Sequence, residues 1–150
     1  MILRSSFEDG SFIPVRHTCD GGDHSPPLFF EDYPYETKSL ALVCHTKDRG
    51  SHRYIHWLLY EIDPVLYDRI PESLPRSPTI LGSVRQGFND KKKLGYNGPC
   101  PKGGIHRYYF KAFALNQKLF LPPAMKPEEL LDALKDHIID TAELMGHYQR

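Results

Sequence analysis

The stretch Tyr54-Ile55-His56-Trp57-Leu58-Leu59-Tyr60-Glu61-Ile62 decides the fold class. It is short, aromatic and branched, with the length and composition of a strand rather than of a core helix. By alternation, Tyr54, His56, Leu58, Tyr60 and Ile62 share one face, and Ile55, Trp57 and Leu59 the other. Both faces are mostly apolar, which predicts a central strand in a sheet covered on both sides.

Outward from this strand the chain reads as follows. Upstream, Ser39 to His45 is a buried strand by length and apolar content. Residues 14–38 hold Pro14, Pro26, Pro27 and Pro34 with Gly21-Gly22, an ordered but irregular entry segment. Downstream, residues 64–105 are mostly loop, rich in proline and glycine. A loop that long in a compact domain is usually functional or disordered, and its aromatic residues and rigid prolines favour function. It feeds a strand from His106 to Leu115, where His106, Tyr108 and Phe110 share one face and Arg107, Tyr109 and Lys111 the other. After Pro122-Pro123 and Pro127, residues Leu130, Leu131, Leu134, Ile138, Ala142 and Met145 recur at helical spacing, which predicts a C-terminal helix whose stripe is core or a subunit contact. Strands first and helix last imply a mainly β domain with a terminal helix. Leu42, Trp57, Leu58, Phe110 and Phe113 are the expected core. No repeat or linker divides residues 1–150, so a single domain is expected.

Composition narrows the function. The 19 basic and 19 acidic side chains cancel, so no global field favours nucleic acid or an anionic membrane, and an anion site must be local. The longest apolar run, Leu40 to Cys44, is far short of a membrane span. The N-terminus lacks the apolar core of a secretory signal, and a cytoplasmic protein is the expectation. Cys19, Cys44 and Cys100 form no C-x-x-C pair. Their odd count argues for three reduced thiols, with a single bridge as the alternative.

Two features carry the chemistry: His56 inside an apolar strand, and His106-Arg107-Tyr108 launched from Gly98-Pro99-Cys100-Pro101-Lys102-Gly103-Gly104. That loop lacks the spacing and the Lys-Ser/Thr ending of a P-loop. Its glycines nevertheless allow close backbone approach, and a rigid turn can aim N–H groups at an oxyanion. A histidine beside such a turn adds a switchable charge, and Tyr108 a hydroxyl. Taken singly, each has a plainer reading. A lone histidine on an apolar strand is more often a satisfied core residue, Cys100 a packed thiol, and Lys91-Lys92-Lys93 a solvated loop tip.

In order and spacing, the segments Thr18-Cys19-Asp20-Gly21, Ser25-Pro26-Pro27-Leu28, Ser39-Leu40-Ala41-Leu42, His56-Trp57, Gly87-Phe88-Asn89-Asp90, Gly95-Tyr96-Asn97-Gly98-Pro99-Cys100-Pro101, His106-Arg107-Tyr108, His137-Ile138-Ile139 and Gly146-His147-Tyr148-Gln149-Arg150 resemble the phosphatidylethanolamine-binding protein family. The likeness is to its short bacterial and archaeal Raf-kinase-inhibitor-like branch and runs from about Phe7 to Arg150. It implies two packed antiparallel sheets with the C-terminal helix, and a pocket at one end for phosphate and phosphorylated head groups. Carried over, the pocket's residues are Asp48, Tyr54, His56, Gly98, Pro99, Cys100, His106 and Tyr108. The chain departs from the family at Thr46-Lys47-Asp48-Arg49-Gly50, where the family's Asp-Pro-Asp-x-Pro loses both prolines and one acid, and at Lys102, where a proline is usual.

The expected function is therefore non-catalytic binding of anionic or phosphorylated ligands, with a phosphorylated small molecule, a phosphoprotein or a protein kinase as partner. No cofactor is implied, and a homodimer is compatible with the sequence. The alternative is a hydrolase using His56 or His106 with Cys100; no G-x-S-x-G elbow or orienting third group supports it. A metal site from His17, Cys19, Asp20 and His24 matches no standard zinc spacing and ranks last.

Overall fold

The computed structural model describes residues 1–47 and 53–150. Its strands are β1 (Ile2–Arg4), β2 (Leu28–Glu31), β3 (Ser39–Lys47), β4 (Arg53–Ile62), β5 (Arg69–Ile70), β6 (Thr79–Ile80), β7 (Val84–Gln86), β8 (His106–Leu115) and β9 (Ile138–Tyr148). One α-helix, α1 (Pro127–Leu134), precedes β9. They form a six-stranded sheet in the order β6-β7-β4-β3-β8-β9 and a three-stranded sheet in the order β1-β2-β5. Every pairing between these strands is antiparallel. The mainly β reading with two antiparallel sheets and a helix near the C-terminus holds.

Both faces of the large sheet are covered, as the apolar central strand requires. Leu40, Leu42, Trp57, Leu59, Phe110 and Leu144 pack on one side with Leu28, Phe30 and Ile70 of the small sheet. Ala41, Val43, Leu58, Tyr60 and Phe113 pack on the other with Leu130 and Leu134 of α1. All five expected core residues are buried.

The face assignment within β4 is corrected by two irregularities. Opposite β3, Trp57 pairs with Cys44 and Ile55 with His45, so His56 is an extra residue. Near the other end Leu59 pairs with Leu42 and Ile62 with Leu40, leaving Tyr60 and Glu61 opposite Ala41; Glu61 takes φ 56° there. Each bulge reverses the alternation. Ile62 therefore joins Trp57 and Leu59, while Leu58 and Tyr60 join Ile55 beneath α1.

The helical stripe also needed correction. Leu130 and Leu134 belong to α1, with Leu131 packed alongside, but the helix ends at Leu134, and Ile138, Ala142 and Met145 lie on β9. Eleven residues from Ile138 pair with the edge of β8 instead. Within them Leu144, Gly146 and Tyr148 are buried at period two. Positions 138 and 142 satisfy either period, and the open edge of β8 decides between them, since paired backbone and buried alternate side chains outweigh weak helix propensity.

Candidate functional site

A cleft of about 710 Å³ opens where the C-terminal end of β3 meets the N-terminal ends of β4 and β8. Thr46, Tyr54, His56, Lys91, Gly98, Cys100, Pro101, Lys102, Gly103, His106 and Tyr108 line it. Six of the expected site residues thus share one wall: Tyr54, His56, Gly98, Cys100, His106 and Tyr108. Pro99 is buried behind the turn, its carbonyl accepting from the Cys19 N–H at 3.1 Å. Asp48, and the departure from Asp48 to Gly50, lie outside the described residues.

The bulge in β4 aims His56. Its ring lies 5.0 Å from that of Tyr54 and meets Tyr108 edge-on at 5.3 Å. His56 Nδ1 contacts the Asn97 carbonyl at 2.6 Å. A carbonyl only accepts, so Nδ1 carries the proton. Nε2, on the opposite edge of the ring, is buried without a hydrogen-bond partner among the described residues. Leaving such a group unpaired costs about 1–3 kcal/mol. Burial lowers the His56 pKa to about 4; the bond to Asn97 and the charges of Asp23 and Asp90 oppose this, and Lys91 adds to it. At neutral pH the imidazole is uncharged.

The 96–100 turn is held from behind. Asp23 Oδ1 accepts the Gly98 N–H at 2.7 Å, Tyr96 donates its hydroxyl to the His17 carbonyl at 2.7 Å, and Asn97 N–H donates to the His56 carbonyl at 3.0 Å. The Gly98 N–H is therefore spent on an internal carboxylate and does not reach an anion, contrary to one role expected of this turn. His106 Nε2 donates to the Gly103 carbonyl at 2.8 Å, closing the turn that leads into β8.

Cys19 and Cys100 form a disulfide with Cα atoms 5.4 Å apart, while Cys44 is free and buried. This corrects the expectation of three reduced thiols: the entry segment returns to the cleft turn across 81 residues. The bridge also undoes two other readings. Cys100 cannot serve as a nucleophile while bonded, and Cys19 is withdrawn from the metal cluster. His17 uses both ring nitrogens, on Ser6 and on the His24 carbonyl. Among the described residues no group of three or more His, Cys, Asp or Glu is placed to hold a metal.

Sequence reasoning missed Lys91, read as part of a solvated tip. Asn89 Oδ1 accepts from the N–H groups of Lys91 and Lys93, at 2.9 and 3.3 Å, and Asp90 ties both its carboxylate and its N–H to Ile55. These bonds anchor the loop beside β4 and put Lys91 in the cleft wall. The signal was Asn89-Asp90 immediately before the lysines. Among the described lining residues stand two lysines and no carboxylate.

His45, on the opposite face of β3, is likewise held neutral near pKa about 4, chiefly by burial and then by Arg53, Lys47 and Lys111. Both imidazoles resist protonation in the fold but not in the unfolded chain, where histidine titrates near 6.5. Between these values the unfolded state binds more protons, so stability is fully present above about pH 6.5 and is lost as pH falls toward 4. His56 alone accounts for up to about 3 kcal/mol. Urea midpoints at pH 7.5, 6.0 and 4.5 should fall in that order. A flat series would show that both rings protonate in place.

A two-sheet β protein with a basic, aromatic-walled cleft at the end of its larger sheet is the class that these features define. The chain belongs to the phosphatidylethanolamine-binding protein family: the family model matches residues 4–149. A UPF0098 protein of Methanothermobacter thermautotrophicus is 43% identical over 145 residues, covering 97% of this chain and 95% of its own. The crystal structure of a phosphatidylethanolamine-binding protein homologue from Chlamydia trachomatis is 39% identical with a TM-score of 0.88, covering 99% of this chain and 97% of its own. That of YbcL from E. coli, described as a new member of the mammalian family, is 27% identical with a TM-score of 0.87, again covering 99% and 97%. No helix among the described residues is long and apolar enough to cross a membrane.

Proposed function

We propose that this chain is a non-catalytic binding module whose cleft takes phosphorylated ligands, either small molecules or phosphorylated protein segments. One observation carries the reading: Lys91, Lys102 and His106 line, with the hydroxyl-bearing Tyr54 and Tyr108, a cleft whose described lining holds no carboxylate; the Thr46 hydroxyl is already donated to the Arg107 carbonyl at 2.6 Å. In a chain of zero net charge, such a cleft is a local anion site. Family membership agrees with a binding role. The bridge weighs against the hydrolase alternative, because the thiol that would attack is already bonded. A regulatory role toward a kinase or phosphoprotein would use the same cleft, with the phosphoryl group as the anchor. A cytoplasmic setting goes with this reading and requires the bridge to persist against a reducing thiol pool.

The test is calorimetric titration of phosphorylethanolamine at pH 6.5, at low and moderate salt. Binding should be salt-sensitive. Lys91→Ala with Lys102→Ala should weaken it about tenfold or more, because each lysine contributes a charge-assisted contact. Melting curves of the double variant should match wild type, since both side chains are exposed. Absence of binding at millimolar ligand, or turnover of a phosphoester, would sink the reading.

A further inference from the structure

We propose that the cleft selects oxyanions that carry their own proton, phosphate monoesters in the monoanionic form, by presenting them with a buried hydrogen-bond acceptor at His56. This rests on the anion-cleft reading and adds a ligand class to it.

The argument starts from the tautomer. The Asn97 carbonyl at 2.6 Å fixes the proton of a neutral imidazole on Nδ1, so Nε2 presents a lone pair. His56 is only 6% exposed, and Nε2 has no partner among the described residues. His56 nevertheless forms part of the cleft wall. The rings of Tyr54 and Tyr108 pack against the imidazole at 5.0 and 5.3 Å; Tyr54 is half-buried and Tyr108 buried, so a ligand reaching Nε2 would come past Tyr54.

A histidine facing an anion usually acts as a cation. Here the surroundings oppose that. Among the described residues the charged groups that act most on the ring are Lys91, which disfavours imidazolium, and Asp23 and Asp90, which favour it; burial outweighs the two acids. The remaining titratable groups of the cleft among the described residues are Lys102, His106, Tyr54 and Tyr108. The lysines already supply positive charge to the anion, leaving His56 to accept a hydrogen bond.

Only some oxyanions can donate one. A monoanionic phosphate ester has a P–OH group. A sulfate ester has the same shape and charge but no proton, and the phosphate dianion has lost its own. Either would set a lone pair against the Nε2 lone pair in a buried site, where an unmatched acceptor is strongly disfavoured.

Methyl phosphate and methyl sulfate isolate this difference, because neither has an amine. Each is titrated into the oxidised protein at constant ionic strength from pH 5 to 8. At pH 5.5 methyl phosphate should bind at least about tenfold more tightly than methyl sulfate. Its affinity should then fall about tenfold per pH unit above the second phosphate pKa, about 6. Methyl sulfate keeps one charge throughout, so its own pH profile records any contribution from the protein, and the ratio of the two affinities isolates the ligand's proton. His56→Gln offers an amide that can turn its N–H₂ to the ligand, and should raise the relative affinity for methyl sulfate about tenfold or more. The wild-type comparison decides the matter even where that variant fails to fold. Equal affinity for both esters at pH 5.5, or methyl phosphate binding that tightens as pH rises, overturns the selectivity and leaves the anion cleft standing. Silence of both esters at every pH overturns the anion cleft and the selectivity with it.

Discussion

A variant with both Cys19→Ser and Cys100→Ser should be about 4.5 kcal/mol less stable than the oxidised protein, the chain-entropy expectation for a bridge closing a loop across 81 residues. The comparison is of urea midpoints for the variant, the oxidised wild type and the reduced wild type; the last two should differ by a similar amount. Thiol titration in denaturant should find one group without reductant, the buried Cys44, and three with it. Three thiols without reductant in freshly isolated protein, together with a variant as stable as wild type, would show that the bridge plays no part in the native fold. Ligand binding should change far less than stability. The cleft turn keeps the Asp23–Gly98, Cys19–Pro99 and Tyr96–His17 hydrogen bonds, none of which needs the sulfur.

The bridge was not legible in the sequence, and the reason is physical. Pairing depends on a contact between an irregular entry segment and a distant turn, and local pattern carries no information about such contacts. Cysteine counting supplied only a prior. The bulges in β4 were hidden for a similar cause. Alternation along one strand assumes a regular partner, whereas the extra residue at His56 is a property of the register with β3. The shift at His56 matters for the site, because it sets the ring beside both Tyr54 and Tyr108.

What was legible came from residues whose surroundings are dictated nearby. The apolar, aromatic run of β4 forced a strand covered on both faces, and Trp57 and Leu58 are fully buried on opposite sides of the sheet. His106 and Tyr108 were placed on one face by simple alternation, and both line the cleft. The C-terminal segment stood between these cases. Its early leucines are helical as expected, but Ile138-Ile139 and Thr141, branched residues in the same run, were the local sign of a strand that the apolar stripe obscured.

Gly98→Ala tests the wall of the cleft most severely. A Cβ built on Gly98 would lie 2.1 Å from the His17 carbonyl oxygen, 2.6 Å from Asp23 Oδ1 and 3.0 Å from the Tyr96 ring. The first obstacle is backbone, so a side-chain rotation cannot relieve it. Relief requires the 15–18 turn to part from the 96–100 turn, and with it the Tyr96–His17 and Gly98–Asp23 hydrogen bonds are strained or lost. Overpacking ordinarily costs about 1–3 kcal/mol, and the loss of one buried and one part-buried hydrogen bond adds to it. A total above about 4 kcal/mol is expected, enough to leave a marginally stable domain partly unfolded at physiological temperature. Gly103→Ala is the matched control in the same cleft. No described residue lies within 4 Å of its added Cβ, so its stability should stay within about 0.5 kcal/mol of wild type. Thermal melts of the two variants read the contrast. Should Gly98→Ala melt with wild type, the entry segment does not pack against the cleft turn as described, and the support for His56 through Asn97 would have to be redrawn.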